Sequence, residues 1–149
     1  MPRQNIIKHY ASMWPREICD MREKDGKRLF IKDAVGWRVP GVYVLYRDEH
    51  PYYIGKSKKV GPRIWEHANR PLDPYYNFWN MFSAFLVEEM YLDAFEGMLI
   101  AAMPTGNSAV PRIPKIAIPR GIVDQLKRIR QHQAHPVTLQ QLIKAIKGR

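Results

Sequence analysis

A chain of 149 residues with 46% hydrophobic content suits one compact domain with its own core and leaves no room for a second full one. Its net charge of +10 and pI near 9.9 favour a polyanionic partner such as nucleic acid over an acidic small molecule. The single cysteine, Cys19, excludes an intramolecular disulfide and a Cys-rich zinc site, and it reads as a small buried apolar residue.

No apolar run is long enough to cross a bilayer, and the start MPRQNIIKHY lacks the features of a secretory signal, so the expectation is a soluble, cytoplasmic protein with no membrane partner. In chain order, Asn5 to Met13 reads as a short helix, Pro15 as the start of another through Met21, and Lys24 to Lys27 as a turn. Val42, Val44 and Leu45, set among aromatic residues, predict a strand; Arg47 to Pro51 has the composition of a hairpin turn, and Tyr52 to Gly55 is the return strand. Pro62, well tolerated at the first helical position, is expected to open a helix through Asn69, which places Arg63 and His67 four residues apart on one face. Pro71 to Pro74 ends that helix. Phe82 to Val87 reads as a third strand, and Tyr91 to Met103 as an apolar helix stopped by Pro104 and Gly106. The resulting order is β-β-α-β-α.

Beyond a link punctuated by Pro111, Pro114 and Pro119, the residues Ile122, Val123, Leu126 and Ile129 have helical spacing, with Lys127, Arg128 and Arg130 on other faces. A last helix is expected from about Thr138, with Gln141 completing a capping box. From Arg112 to Arg149 nine Lys or Arg residues face one acid, Asp124, for +8; residues 1 to 111 carry fifteen bases and thirteen acids, for +2. The positive field is concentrated at the C-terminal end.

Glu96 is the sole ionisable side chain from Ala94 through Val110. A carboxylate on such an apolar helix needs a cation, a hydrogen-bond donor or a metal, and its plain structural reading is an ion pair with an arginine. Tyr43 and Tyr53 on the hairpin, Lys56 beyond it, and Arg63 with His67 on the next helix supply phenols, cations and one group that moves protons near neutral pH. With one carboxylate for a hard divalent cation, these groups match the needs of phosphodiester hydrolysis. Singly, the tyrosines read as strand packing residues, His67 as a helix surface residue and Lys56 as a solvated loop charge.

Gly41-Val42-Tyr43, then Tyr53-Ile54-Gly55 within YIGKS, Arg63 with His67, Glu96 and Asn107 together resemble the GIY-YIG nuclease superfamily over roughly residues 40 to 108. The resemblance implies an α+β fold: a small three-stranded antiparallel sheet flanked by helices, with extra N- and C-terminal helices in this chain. Residues 1–39 would form an N-terminal helical and loop extension, 40–108 the nuclease core, and 109–149 a basic helical extension on the same single domain. The implied activity is metal-dependent endonucleolytic hydrolysis of DNA, with one Mg2+ or Mn2+ per active site.

The same resemblance implies roles. Tyr43 and Tyr53 match the two tyrosines of which one helps deprotonate the attacking water, and Tyr53 is the preferred choice. Arg63 would hold the phosphate, His67 relay a proton, and Glu96 bind the metal. Asn107 would organise the site by hydrogen bonds, and Lys56 matches a lysine of some members. Two departures stand out: valine replaces isoleucine in the first triplet, and Gly61-Pro62 directly precedes Arg63.

Lys58, Lys59, Lys127, Arg128 and Arg130 are the candidate nucleic-acid contacts. The partner expected is DNA, single- or double-stranded, with RNA second; cutting both strands would call for a homodimer or sequential nicks, and a protein partner is a candidate source of specificity. Tyr75, Tyr76, Phe78 and Trp79 read first as core and second as a stacking surface for unpaired bases. The competing functional reading is a non-catalytic nucleic-acid-binding module that keeps the fold.

Overall fold

The computed structural model describes residues 5–27 and 35–107, together with positions 111, 113, 114, 116, 117, 119, 122, 124, 125, 127–129 and 131. Four strands, β1 (Ile7–Pro15), β2 (Gly41–Arg47), β3 (His50–Ser57) and β4 (Met81–Val87), form one antiparallel sheet in the order β1-β4-β2-β3. Among the described residues up to 107, two helices, α1 (Val60–Asn69) and α2 (Leu92–Ala102), join this sheet in an α+β fold. Short 3-10 turns lie at Arg16–Cys19, Val35–Trp37 and Glu89–Tyr91.

The N-terminal segment departs from expectation. Ile7–Pro15 is a strand and not a helix, and the stretch from Pro15 to Met21 holds only the 3-10 turn Arg16–Cys19. The sheet therefore has four strands where three were expected. The reason is tertiary: β4 would otherwise present a free edge, and β1 covers it by pairing Tyr10 with Phe85, Ala11 with Ala84 and Trp14 with Phe82. Only Ala11 of this strand is buried, so its apolar spacing carried no reliable period. Met13, at φ 53°, turns its N–H onto Ser83 Oγ at 3.0 Å and accommodates the irregularity between Ala11 and Trp14. The turn expected at Lys24 to Lys27 is present, closed by hydrogen bonds from Glu23 N to Lys27 O and from Gly26 N to Glu23 O.

From Gly41 to Ala102 the elements follow the order β-β-α-β-α. The β2–β3 hairpin turns on Asp48 and Glu49, both with positive φ (47° and 69°), the handedness that matches a two-residue loop to strand twist. Asn80 secures the turn by accepting from Asp48 N–H at 3.1 Å and donating to Asp48 Oδ1 at 2.9 Å. Helix α1 starts at Val60, two residues before Pro62; the proline falls within the first turn, where its missing N–H leaves no helical bond unmade.

Alternation along β2 divides the core. Tyr43 and Leu45 pack with Val60, Ile64 and Ala68 of α1 and with Cys19, Trp79 and Phe82. Val42 and Val44, with Ile54 of β3, pack with Leu92, Phe95 and Leu99 of α2. The sheet thus carries α1 on one face and α2 on the other. Cys19 is fully buried, and burial pushes its thiol up to about 12.

The chain divides into two compact units, Met1–Ile113 and Pro114–Arg149. In the second, positions 122, 124, 125, 127–129 and 131 are helical, and Lys127 and Arg128 are exposed. Arg130, Val123, Leu126 and the helix expected from Thr138 lie outside the described residues. Among the described residues, no helix is long and apolar enough to cross a membrane.

Candidate functional site

The two triplets face each other across the β2–β3 ladder, with Tyr43 opposite Gly55, Val44 opposite Ile54 and Leu45 opposite Tyr53. Their glycines have a steric cause. A Cβ on Gly55 would lie 2.4 Å from the Tyr43 hydroxyl oxygen, and one on Gly41 would lie 2.8 Å from the Phe85 carbonyl. The Tyr43 ring therefore crosses the ladder directly over Gly55, and any larger residue would displace it.

The Tyr43 hydroxyl meets His67 Nε2 at 2.7 Å, and His67 Nδ1 meets Asp73 Oδ1 at 2.8 Å. An ionised carboxylate only accepts, so Nδ1 carries the hydrogen, Nε2 accepts, and Tyr43 donates. Burial lowers the His67 pKa despite the opposing hydrogen bond to Asp73, which keeps the ring neutral at pH 7. Burial works against ionisation of Asp73, but hydrogen bonds from His67 and the Tyr75 N–H, with the nearby Arg63 charge, outweigh it and hold the carboxyl below its usual value. Arg63 lies 3.0 Å from Glu66 and 3.7 Å from Asp73.

Tyr43 is 1% exposed; burial first, then the neighbouring Tyr53, pushes its phenol far up, against the pull of Arg63. Tyr53 is half-buried and its pKa is also raised, by burial first, then by Tyr75, while Arg63 opposes and Glu96 adds to the rise. Tyr53 thus feels the helix α1 arginine and the helix α2 carboxylate at once. Its ring stacks on Tyr75 at 4.0 Å and lies 5.8 Å from His67 and 6.2 Å from Tyr43.

Glu96 is ion-paired, with a lysine and not an arginine. Lys56 Nζ bonds Asp93 Oδ1 at 2.5 Å and Glu96 Oε2 at 2.6 Å, contacts that raise its pKa, with Asp93 the larger cause. Asp93 and Glu96, one turn apart on α2, converge on that single ammonium. A hollow of about 290 Å³ adjoins them, lined by Lys56, Ser57, Lys58, Glu89, Leu92 and Asp93. A larger one, about 530 Å³, lies among Val39, Pro40 and Leu86 and contains none of these site residues.

Among the described residues, no group of three or more His, Cys, Asp or Glu side chains is arranged to hold a metal ion. A hard cation such as Mg2+ asks for less, because it is commonly held by one or two carboxylates with the remaining positions left to water and phosphate. Asp93 and Glu96, already gathered on a cation, fit that requirement.

Asn107 pins the outer edge of β3. Its Oδ1 accepts from Ile54 N–H and its Nδ2 donates to Ile54 O, each at 2.8 Å, while Gly106 N–H donates to Tyr52 O at 2.9 Å. One side chain thus satisfies the backbone between Tyr53 and Gly55 as a neighbouring strand would.

The structure therefore brings Tyr43, Tyr53, Arg63 and His67 together, places Lys56 with Glu96 across the edge strand, and sets Asn107 behind it. Lys58 is exposed and paired with Glu89 at 2.5 Å, and Lys59 is exposed at the start of α1. Lys127 and Arg128 belong to the second unit. Asp73 and Asp93 had no place in the sequence reading. Asp73 is the sole acid between Glu66 and Glu88, which was a usable signal, whereas Asp93 offered only its spacing from Glu96. No protein-family model, curated protein or solved structure matches the chain.

Proposed function

We propose that the chain is a metal-dependent endonuclease of the GIY-YIG type that hydrolyses phosphodiester bonds in DNA. The observation supporting this most is the position of Tyr53, a half-buried phenol on β3 within electrostatic reach of both Arg63 of α1 and Glu96 of α2. A phosphodiester between them would have a guanidinium for its equatorial oxygens and a phenol beside the attacking water. A divalent cation held by Glu96 and Asp93 would offset the charge of the carboxylates and the phosphate, relieving the negative charge that now raises the Tyr53 pKa. Tyr43, His67 and Asp73 act from behind: Asp73 fixes the His67 tautomer, His67 accepts the hydrogen bond from the Tyr43 hydroxyl, and the Tyr43 ring holds Tyr53 and Arg63 in register.

One observation favours the second reading, a non-catalytic nucleic-acid-binding module: the Lys56 ammonium pairs with both Asp93 and Glu96, so each carboxylate has a cation without a metal. Cleavage of single-stranded DNA, duplex DNA and RNA by wild type and Glu96→Gln, with magnesium and with excess chelator, separates the two. Cleavage lost on both the substitution and chelation supports the nuclease; binding without cleavage under every metal supports the module.

A further inference from the structure

Phe78 is 52% exposed, although burial is the usual fate of a phenylalanine in so short a loop. Four features hold it there. Asn77, at φ 63°, turns the chain through the left-handed region immediately before it. The Arg47 guanidinium reaches Asn77 O at 3.5 Å, and Phe78 N–H donates to Tyr75 O at 3.2 Å. The Phe78 ring lies parallel to Tyr52, with 7° between planes and 5.9 Å between centroids.

Tyr52 reaches that position through a β-bulge. Leu45 pairs with Tyr53 and Tyr46 with Pro51, so Tyr52 is the extra residue of β3. Successive strand residues ordinarily point to opposite faces, but a bulge re-aims one of them. Here both Tyr52 and Tyr53 contact Tyr75, at 6.3 Å edge-on and 4.0 Å stacked respectively. Rings thus continue outward from Tyr53, beside Arg63, through Tyr75 and Tyr52 to the exposed face of Phe78.

We infer that Phe78, backed by Tyr52, is a stacking platform for an unpaired nucleobase, next to the site where the phosphodiester is cut. This rests on the proposed nuclease reading for where the strand runs. An exposed aromatic face, with the guanidinium of Arg47 at the end of β2 reaching the loop beside it, suits a base next to its phosphate, and a flat ring takes any base without reading its edges. In a duplex the bases are already stacked on one another, so the platform selects single strands, loops or flipped nucleotides.

The test measures binding by the full chain in excess chelator, where no cleavage occurs. The probes are a labelled DNA strand, the same backbone carrying abasic sites, and the matched duplex. Wild type should bind the base-bearing strand about ten-fold more tightly than the abasic one and more tightly than the duplex. Phe78→Ala should erase that preference, and Phe78→Trp should retain it. Equal binding of intact and abasic strands, tighter binding of duplex, or a preference that survives Phe78→Ala would overturn the inference. Cleavage by the same wild type in magnesium reports separately on the nuclease reading, so either can fail while the other stands.

Discussion

The Tyr43 hydroxyl donates to His67 Nε2 at 2.7 Å while Asp73 receives the opposite ring nitrogen at 2.8 Å, and the histidine joining them is completely buried. A buried ring with both nitrogens engaged is a structural commitment as well as a chemical one. Replacing His67 with alanine leaves a cavity and strips the Tyr43 phenol and the Asp73 carboxylate of partners, so the expected loss is about 2–4 kcal/mol in urea unfolding. Tyr43→Phe removes one hydrogen bond from an otherwise intact ring and should cost about 1–2 kcal/mol. If His67→Ala proves no worse than Tyr43→Phe, the contact with Asp73 contributes little.

The same relay sets the pH range of stability. The folded-state pKa of His67 lies below its ordinary 6.5, so the unfolded chain takes up a proton first as pH falls. Stability is then fully present above about 6.5 and declines toward the lower folded value, at up to about 1.4 kcal/mol per pH unit for one proton. Asp73, depressed below 3.8, extends the decline at lower pH, where its ionised form is lost. At the alkaline end the sign reverses in chemistry but not in effect: Tyr43 is raised above 10, so the unfolded phenol ionises first and stability falls above about pH 10. Urea midpoints across pH should trace both limbs, with the alkaline one reduced in Tyr43→Phe.

Gly55 supplies a sharper test of geometry. A methyl group there would sit 2.4 Å from the Tyr43 oxygen and 2.9 Å from the Tyr53 ring, and Tyr43 is walled in on every side. Gly55→Ala should cost about 1–3 kcal/mol by overpacking and should disturb both phenols together. Gly106→Ala is the control, since its nearest neighbour would be 3.3 Å away. Equal stability of the two variants would mean that Tyr43 does not cross Gly55.

How far the fold was legible follows from where the determining contacts lie. The β2–β3 hairpin, α1, β4 and α2 carry their signals locally, in β-branched runs, prolines and a long apolar stretch. Strand β1 does not: its identity depends on the edge of β4, more than sixty residues away in sequence, and its own pattern is mostly exposed. At the site, the types and spacing of Tyr43, Arg63 and His67 pointed to one cluster because hairpin and helix are adjacent in sequence. Asp73 escaped notice because a carboxylate between two prolines reads as a loop residue, and only the folded loop shows it behind His67. The Tyr52 bulge is equally invisible, since one unpaired residue in a strand leaves no compositional mark.

Asn107 ties the segment that follows α2 to β3 by imitating a strand, and its two bonds can be separated by substitution. Asn107→Ala removes both and leaves the Ile54 N–H and C=O without their partner, an expected cost of about 1–3 kcal/mol. Asn107→Asp keeps the acceptor for Ile54 N–H but sets a carboxylate oxygen against Ile54 O where a donor stood. It should therefore be no more stable than Asn107→Ala at neutral pH and should recover stability as the carboxyl protonates in acid, when it regains a donor. Amide exchange at Ile54 would follow the same order. An aspartate variant as stable as wild type at pH 7 would show that the bond to Ile54 O is dispensable.

The shared ammonium of Lys56 makes a prediction about metal. Asp93 and Glu96 reach it at 2.5 and 2.6 Å from one face of α2, and Glu96 is the less exposed of the two. Lys56→Met keeps the aliphatic stem and removes the positive charge, which should destabilise the fold by about 1 kcal/mol or less, because the cluster is partly solvated. The two carboxylates would then repel each other across the space a cation filled. Added magnesium should raise the melting temperature of Lys56→Met more than that of wild type, and the gain should vanish in Lys56→Met with Glu96→Gln. If magnesium acts equally on wild type and both variants, the carboxylate pair does not hold the metal and the proposed cation site is wrong.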